Sequence, residues 1–176
     1  MIVCAGNNEN FSFATPIGVG LIESAINLSR ICLMNPPEFI LFIGTAGSYG
    51  KREIFEIVES RVASNIEHSF LFNSAYTPID NVVSAAEDVS RETIINSSNY
   101  ITKSKEISKK YLSLNIELEN MEFFSVISVA REFNIPVGGV FIVTNYCFEN
   151  AHEEFLKNHN EAKKRLEEYL KNKGVI

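Results

Sequence analysis

The sequence predicts an α/β fold: one domain over residues 1–176, with a mostly parallel, mixed central sheet flanked by helices. Three observations carry that expectation. Short apolar runs alternate along the chain with stretches of helical period. Two of the runs, residues 39–43 and 137–143, are continuously apolar, as strands buried on both faces of a parallel sheet are. Residues 151–173 are highly charged but keep an apolar stripe of Phe155, Ala162, Leu166, Tyr169 and Leu170, which places a helix on the outside of the sheet.

In chain order, residues 2–5 read as a short apolar strand and residues 12–17 as a second. Gly18-Val19-Gly20 opens a helix to Met34, with Leu21, Ile22, Ala25, Ile26, Leu28, Ile31 and Cys32 at helical spacing. Asn35-Pro36-Pro37 stops it, because proline cannot continue the hydrogen-bond ladder. Residues 39–43 form a strand and Gly44-Thr45-Ala46-Gly47-Ser48 the loop after it. Residues 54–64 read as a strand; residues 65–88 lack periodicity and hold loops around Phe70, Phe72 and Tyr76. A strand over 92–96, a polar turn at Ser97-Ser98-Asn99, a basic helix over 104–112 and a strand over 116–118 follow. A helix from Glu122 to about Phe133, a strand over 137–144 and the final helix complete the chain. No internal repeat, low-complexity tract or linker suggests a second domain.

Composition narrows the function classes. Hydrophobic residues are 45% and charged residues 22%, ordinary values for a globular protein. The net charge of −6 argues against nucleic acid as the main partner, because phosphate binding needs a basic surface. No apolar stretch reaches the roughly 18 residues of a membrane span, so no membrane is expected. Met1-Ile2-Val3-Cys4 lacks the basic head of a signal peptide. An odd set of cysteines in apolar surroundings (Cys4, Cys32, Cys147) reads as three buried thiols in a reducing cytoplasm. No Cys or His pair has metal-ligand spacing, so neither a metal nor another cofactor is expected.

Several segments carry chemistry. The small-residue run Gly44–Ser48 reads either as a tight turn or as backbone N–H groups brought close to an anion, a ribose or a water. Glu122 opens an otherwise apolar helix; it reads as a carboxylate stabilised by the helix dipole or as a bidentate acceptor for a vicinal diol. Asn145 reads as a cap or turn residue, or as an amide that bonds a heterocycle edge. Tyr100 is either core or an aromatic shelf for a planar base. His68, His152 and His159 have no partner spacing and are expected on the surface or in loops. A carboxylate at the mouth of one element with Thr144-Asn145 at the end of the next is how an open α/β sheet builds a small-molecule site.

Taken in order, these segments resemble the nucleoside phosphorylase superfamily, which includes purine nucleoside phosphorylases and methylthioadenosine/adenosylhomocysteine nucleosidases. Ile17-Gly18-Val19-Gly20 resembles the glycine turn before that family's first long helix. Phe42-Ile43-Gly44-Thr45-Ala46-Gly47 resembles its strand and Gly-Ser/Thr-Ala-Gly loop. Asn96-Ser97-Ser98-Asn99-Tyr100 resembles the segment supplying an aromatic to the base, and Asn120-Met121-Glu122 its Glu-Met-Glu. The resemblance implies a phosphorylase/hydrolase-like fold, shortened towards the N-terminus, that cleaves the N-glycosidic bond of a purine nucleoside; the alternative it leaves is a weak or inactive nucleoside or nucleobase binder. It implies that Glu122 holds the ribose hydroxyls, Met121 packs under the sugar, Tyr100 stacks on the base, and Asn120 and Thr144 add contacts. Thr45, Ala46 and Gly47 would position phosphate or water, and Glu9 would activate the water. Asn145 stands where nucleosidases carry an acid that protonates the base, although trimeric phosphorylases use the same Thr-Asn pair. Phosphate is the one co-substrate implied. The family's phosphate-binding arginines are missing, which leaves Arg61 as the basic candidate, with Arg52 and Lys51 behind it. Assembly as a dimer, trimer or hexamer is also implied, with residues 70–76 as a candidate contact.

Overall fold

The two continuously apolar runs pair with each other at the centre of the sheet. In the computed structural model, which describes residues 1–87 and 92–176, the elements in order are β1 (Ile2–Cys4), β2 (Thr15–Pro16), α1 (Leu21–Met34), β3 (Ile40–Ser48), β4 (Ile57–Ser60), β5 (Val62–Ser64) and α2 (His68–Leu71). Then come β6 (Val82–Ser84), β7 (Ile94–Ser97), α3 (Lys105–Ser113), β8 (Ile116–Asn120), α4 (Phe123–Glu132), β9 (Val137–Tyr146) and α5 (Ala151–Asn172). Parallel pairs β1–β2, β1–β3, β3–β9, β5–β7 and β7–β8 dominate, and β3–β8, β4–β9 and β5–β6 are antiparallel. The mixed, mostly parallel sheet flanked by helices is the expected class.

Alternation along β3 and β9 explains how both faces are covered. Phe42, Phe141 and Val143 pack on one face with Leu28 of α1 and Phe123, Val126 and Ile127 of α4. Ile43, Val140 and Ile142 face Ala162, Leu166 and Leu170 of α5 on the other. The rings of Phe42, Phe123 and Phe141 meet at centroid distances of 4.9–5.9 Å, the spacing of favourable aromatic pairs.

Some boundaries differ from the sequence reading for identifiable reasons. Gly44–Ser48 is not a loop but the second half of β3: Gly44 to Ser48 pair with Phe141 to Tyr146 on one side, and Gly47 and Ser48 with Glu119 and Leu118 on the other. Pairing with β9 along the whole run, and with β8 at Gly47 and Ser48, overrides the weak strand preference of glycine and alanine. Residues 54–64 divide at Arg61, where the chain leaves its pairing with β9 and joins β7. The second expected strand shrinks to Thr15–Pro16. The aperiodic stretch from 65 holds α2 and β6, and its last residue, Asp88, lies outside the described residues. His68 is not a loop residue: it starts α2, half-buried, with its ring edge on Tyr111 at 6.2 Å. Cys4, Cys32 and Cys147 are buried and free. Among the described residues no helix is long and apolar enough to cross a membrane.

Candidate active site

Strand ends β3, β8 and β9, the segment after β1 and the first turns of α4 and α5 converge on a cavity of about 290 Å³, at the lower end of small-molecule sites. Of the expected site residues, Glu9, Thr45, Ala46, Gly47, Asn120, Met121, Glu122, Thr144 and Asn145 all line it.

A bulge explains how neighbours Thr144 and Asn145 reach the same cavity. Ala46 pairs with Val143 and Gly47 with Asn145, so Thr144 is an extra residue in β9. In a regular strand successive side chains point to opposite faces; a bulge re-aims one of them. The Thr144 hydroxyl lies 2.9 Å from Asn145 Oδ1 and donates to it, which fixes the amide orientation. Asn145 Nδ2 donates one hydrogen to the Tyr146 carbonyl at 3.2 Å, leaving the other for a ligand.

Asn120 ends β8 and works through Glu122. Its Oδ1 accepts from the backbone N–H of Glu122 (2.7 Å) and of Phe123 (2.8 Å), so it caps α4. Its Nδ2 donates to Glu122 Oε2 at 2.8 Å, and the Gly20 N–H donates to Glu122 Oε1 at 2.9 Å. Glu122 is thus held by one donor on each oxygen, and its carboxylate does not cap its own helix. Burial pushes its carboxyl from the ordinary 4.5 up to about 7, and the Glu9 carboxylate adds to the rise; the two donors oppose it.

Glu9 reaches β3 from the turn after β1. Thr45 donates to its carboxylate through both the backbone N–H (3.3 Å) and a short bond from Oγ1. This approach requires glycine at position 44: a Cβ there would stand 2.9 Å from Glu9 Oε2 and 3.1 Å from the Phe42 ring. Burial raises the Glu9 carboxyl above its usual range, with the Thr45 bonds opposing.

Two expected site residues lie elsewhere. Tyr100 is 79% exposed and does not line the cavity; the next residue, Ile101, does. The turn before it is tied to helix starts: Asn99 Oδ1 accepts from the Leu21 N–H (2.9 Å) and Ser97 Oγ from the Phe124 N–H (3.0 Å). Tyr100→Ala is therefore expected to change ligand affinity at this cavity less than about twofold and stability by less than about 0.5 kcal/mol, checked by calorimetry and urea denaturation. Arg61 lines a separate groove with Glu59 and Lys173, and its guanidinium pairs with Glu92 at 2.6 Å. Arg52 and Lys51 pair with Glu117. Among the described lining residues there is no lysine or arginine.

The cavity also contains residues that the sequence did not assign to a site: Glu119, Asn7, Asn8, His152, expected on the surface or in a loop, and Phe155, expected in the apolar stripe of the final helix. Glu119 hides in the alternation Ile116-Glu117-Leu118-Glu119, which reads as one apolar and one solvated face, whereas all of β8 is buried. Phe155 is the aromatic among the described lining residues, where Tyr100 had been expected.

The family model described as "Phosphorylase superfamily" matches residues 2–172. No curated protein sequence matches. A futalosine hydrolase variant of Helicobacter pylori superposes with a TM-score of 0.81 at 17% identity, over 97% of this chain and 95% of that one. An H. pylori methylthioadenosine nucleosidase carrying an Asp-to-Asn substitution, with 5'-methylthioadenosine in its active site, gives 0.77 at 18%, over 90% and 78%. The S. pneumoniae methylthioadenosine/S-adenosylhomocysteine nucleosidase with a transition-state inhibitor gives 0.76 at 12%, over 96% and 95%.

Proposed function

The chain belongs to the phosphorylase superfamily, and from that premise we propose that it hydrolyses the N-glycosidic bond of a purine nucleoside. The observation that carries the choice of water over phosphate is the carboxylate of Glu9 beside Thr45, in a cavity whose described lining holds no lysine or arginine. A phosphate dianion would meet Glu9 and Glu122 with no lysine or arginine among the described lining residues to offset them. A water has acceptors there: the Glu9 carboxylate and the Thr45 hydroxyl oxygen beside it. The same reasoning selects substrates that carry no anion on the 5′ carbon.

In this reading Glu122 accepts from the 2′ and 3′ hydroxyls and stabilises positive charge on the ribosyl oxocarbenium. Met121 packs under the sugar. Asn145 donates its remaining N–H to the base as negative charge develops there. Glu9 takes a proton from the attacking water. The methylthioadenosine and futalosine in the names of the similar structures support a purine nucleoside with a substituent at the 5′ position. The three buried thiols suit a reducing cytoplasm, and the exposed Phe72 and Tyr76 suit a contact between copies of the chain.

Purified protein incubated with inosine, adenosine, guanosine or methylthioadenosine is expected to release base and free sugar at a rate independent of added phosphate. Phosphate-dependent release with formation of a sugar 1-phosphate would sink the hydrolytic reading. A second reading, binding without cleavage, is favoured by Asn145, an amide that cannot give up a proton. Calorimetry separates the two: a binder holds the nucleoside and returns it intact.

A further inference from the structure

A nucleosidase must deliver a proton to the departing base, and Asn145 cannot supply it. The sheet places a buried carboxyl, Glu119, two strands across from Asn145 on the same cavity. Gly47 of β3 pairs with Asn145 of β9 on one side and with Glu119 of β8 on the other. Cross-strand partners share a face, so Glu119 and Asn145 stand one on each side of Gly47, and both line the cavity. The missing side chain at Gly47 is what joins them: a Cβ there would stand 2.7 Å from Cys147 Sγ and 3.1 Å from Asn145 Nδ2, and Cys147 Sγ lies 3.8 Å from Glu119 Oε1.

Glu119 is held by three donors while burial works against its charge. Its oxygens accept from the Thr102 N–H (2.8 Å), the Thr102 hydroxyl and the Tyr49 hydroxyl (2.9 Å), donors that stabilise the carboxylate. Burial opposes them and raises its carboxyl above the usual range. The titratable groups around it are Tyr49 just past β3, Tyr111 on α3, His68 on α2 and Cys147 just past β9. His68 Nε2 lies 3.2 Å from Thr102 Oγ1, so a half-buried imidazole is one hydroxyl away from the carboxyl.

We propose that Glu119 is the proton donor to the leaving base, taking the part that Asn145 cannot, and that His68 and Thr102 connect it to solvent. The assignment rests on the hydrolase reading above. As the C1′–N bond breaks, its electron pair goes to the base nitrogen; the Glu119 O–H bond breaks and an N–H bond forms. The water oxygen bonds to C1′ and its proton passes to Glu9. Product release leaves Glu9 protonated and Glu119 ionised, and one net proton transfer through solvent restores the starting state.

The test compares a purine nucleoside with 4-nitrophenyl β-ribofuranoside, whose nitrophenolate leaves without a proton. Glu119→Gln is expected to lower kcat on the purine nucleoside by about 10²–10⁴-fold, and on the nitrophenyl riboside by less than about tenfold. The fall of kcat at alkaline pH on the purine nucleoside should vanish in the variant, and Glu119→Asp should restore part of the rate. Retained nitrophenyl activity shows that the variant is folded. Equal losses on both substrates, or none on the purine nucleoside, overturn the assignment. If the wild type releases nitrophenol but no purine, Glu119 is no donor to a purine base, and of the hydrolase reading only attack of water on a ribosyl centre survives. If it releases neither, the hydrolase reading fails and this one with it.

Discussion

Glu9→Gln is expected to lower kcat for base release by about 10²–10⁴-fold while changing the KM for nucleoside only severalfold. The amide carbonyl of glutamine still accepts from the Thr45 backbone and hydroxyl, so the contact that ties the turn after β1 to β3 survives. What is lost is the capacity to take a proton from water. The pH profile sharpens the expectation. Burial lifts the Glu9 carboxyl, so turnover of the wild type should rise with pH across a range above the ordinary carboxylate one. In the variant the residual rate should lose the part of that rise that belongs to Glu9. Steady-state kinetics across pH checks both, and an unchanged kcat removes Glu9 from the reaction.

Glu122→Gln should cost about 10²–10³-fold in kcat/KM, the usual size for removing a preorganised electrostatic contact. Glutamine offers one acceptor where the Gly20 N–H and Asn120 Nδ2 each need one, so a donor is left facing a donor. The same residue predicts a pH dependence of stability. Its folded-state carboxyl titrates near 7 against an ordinary 4.5, so between those values the native state binds more protons than the unfolded state. Stability must then fall as pH rises through that window, by on the order of 3 kcal/mol from this group. Below it Glu122 is neutral in both states and its contribution is fully present. Glu9 and Glu119, also raised by burial, add in the same direction. Urea denaturation of wild type and Glu122→Gln across the window should therefore give a wild-type curve that declines more steeply. Parallel curves would show that Glu122 is ionised throughout.

How much of this was legible in the sequence depended on what fixes each residue. Periodicity and continuous apolar runs located α1, α4, α5, β3 and β9, because burial on a known face leaves a pattern. The order of short motifs pointed to the residues of the cavity, including Glu9, thirty-six positions from the Thr45 it touches. Non-local pairing was not legible. Nothing in Gly44-Thr45-Ala46-Gly47-Ser48 announces that it pairs with β9 throughout and with β8 at Gly47 and Ser48, and nothing near Thr144 announces a bulge. Arg61 and Tyr100 have suitable chemistry, but the strand switch at Arg61 and the helix contacts of Asn99 and Ser97 carry them away from the cavity. Asn120 looked like a lost acid; it is the cap of α4 and the clamp on Glu122. Glu119 was missed because alternation suggests a solvated face that the fold covers.

Water as the nucleophile is the central step, and the fate of the sugar reports on it directly. Base release from a purine nucleoside should be run in isotopically labelled water with phosphate present, and the sugar analysed by mass spectrometry. Free sugar carrying the label on C1′ is expected, with Glu9→Gln forming little of it. A sugar 1-phosphate, or intact nucleoside recovered from a saturated protein, would contradict it.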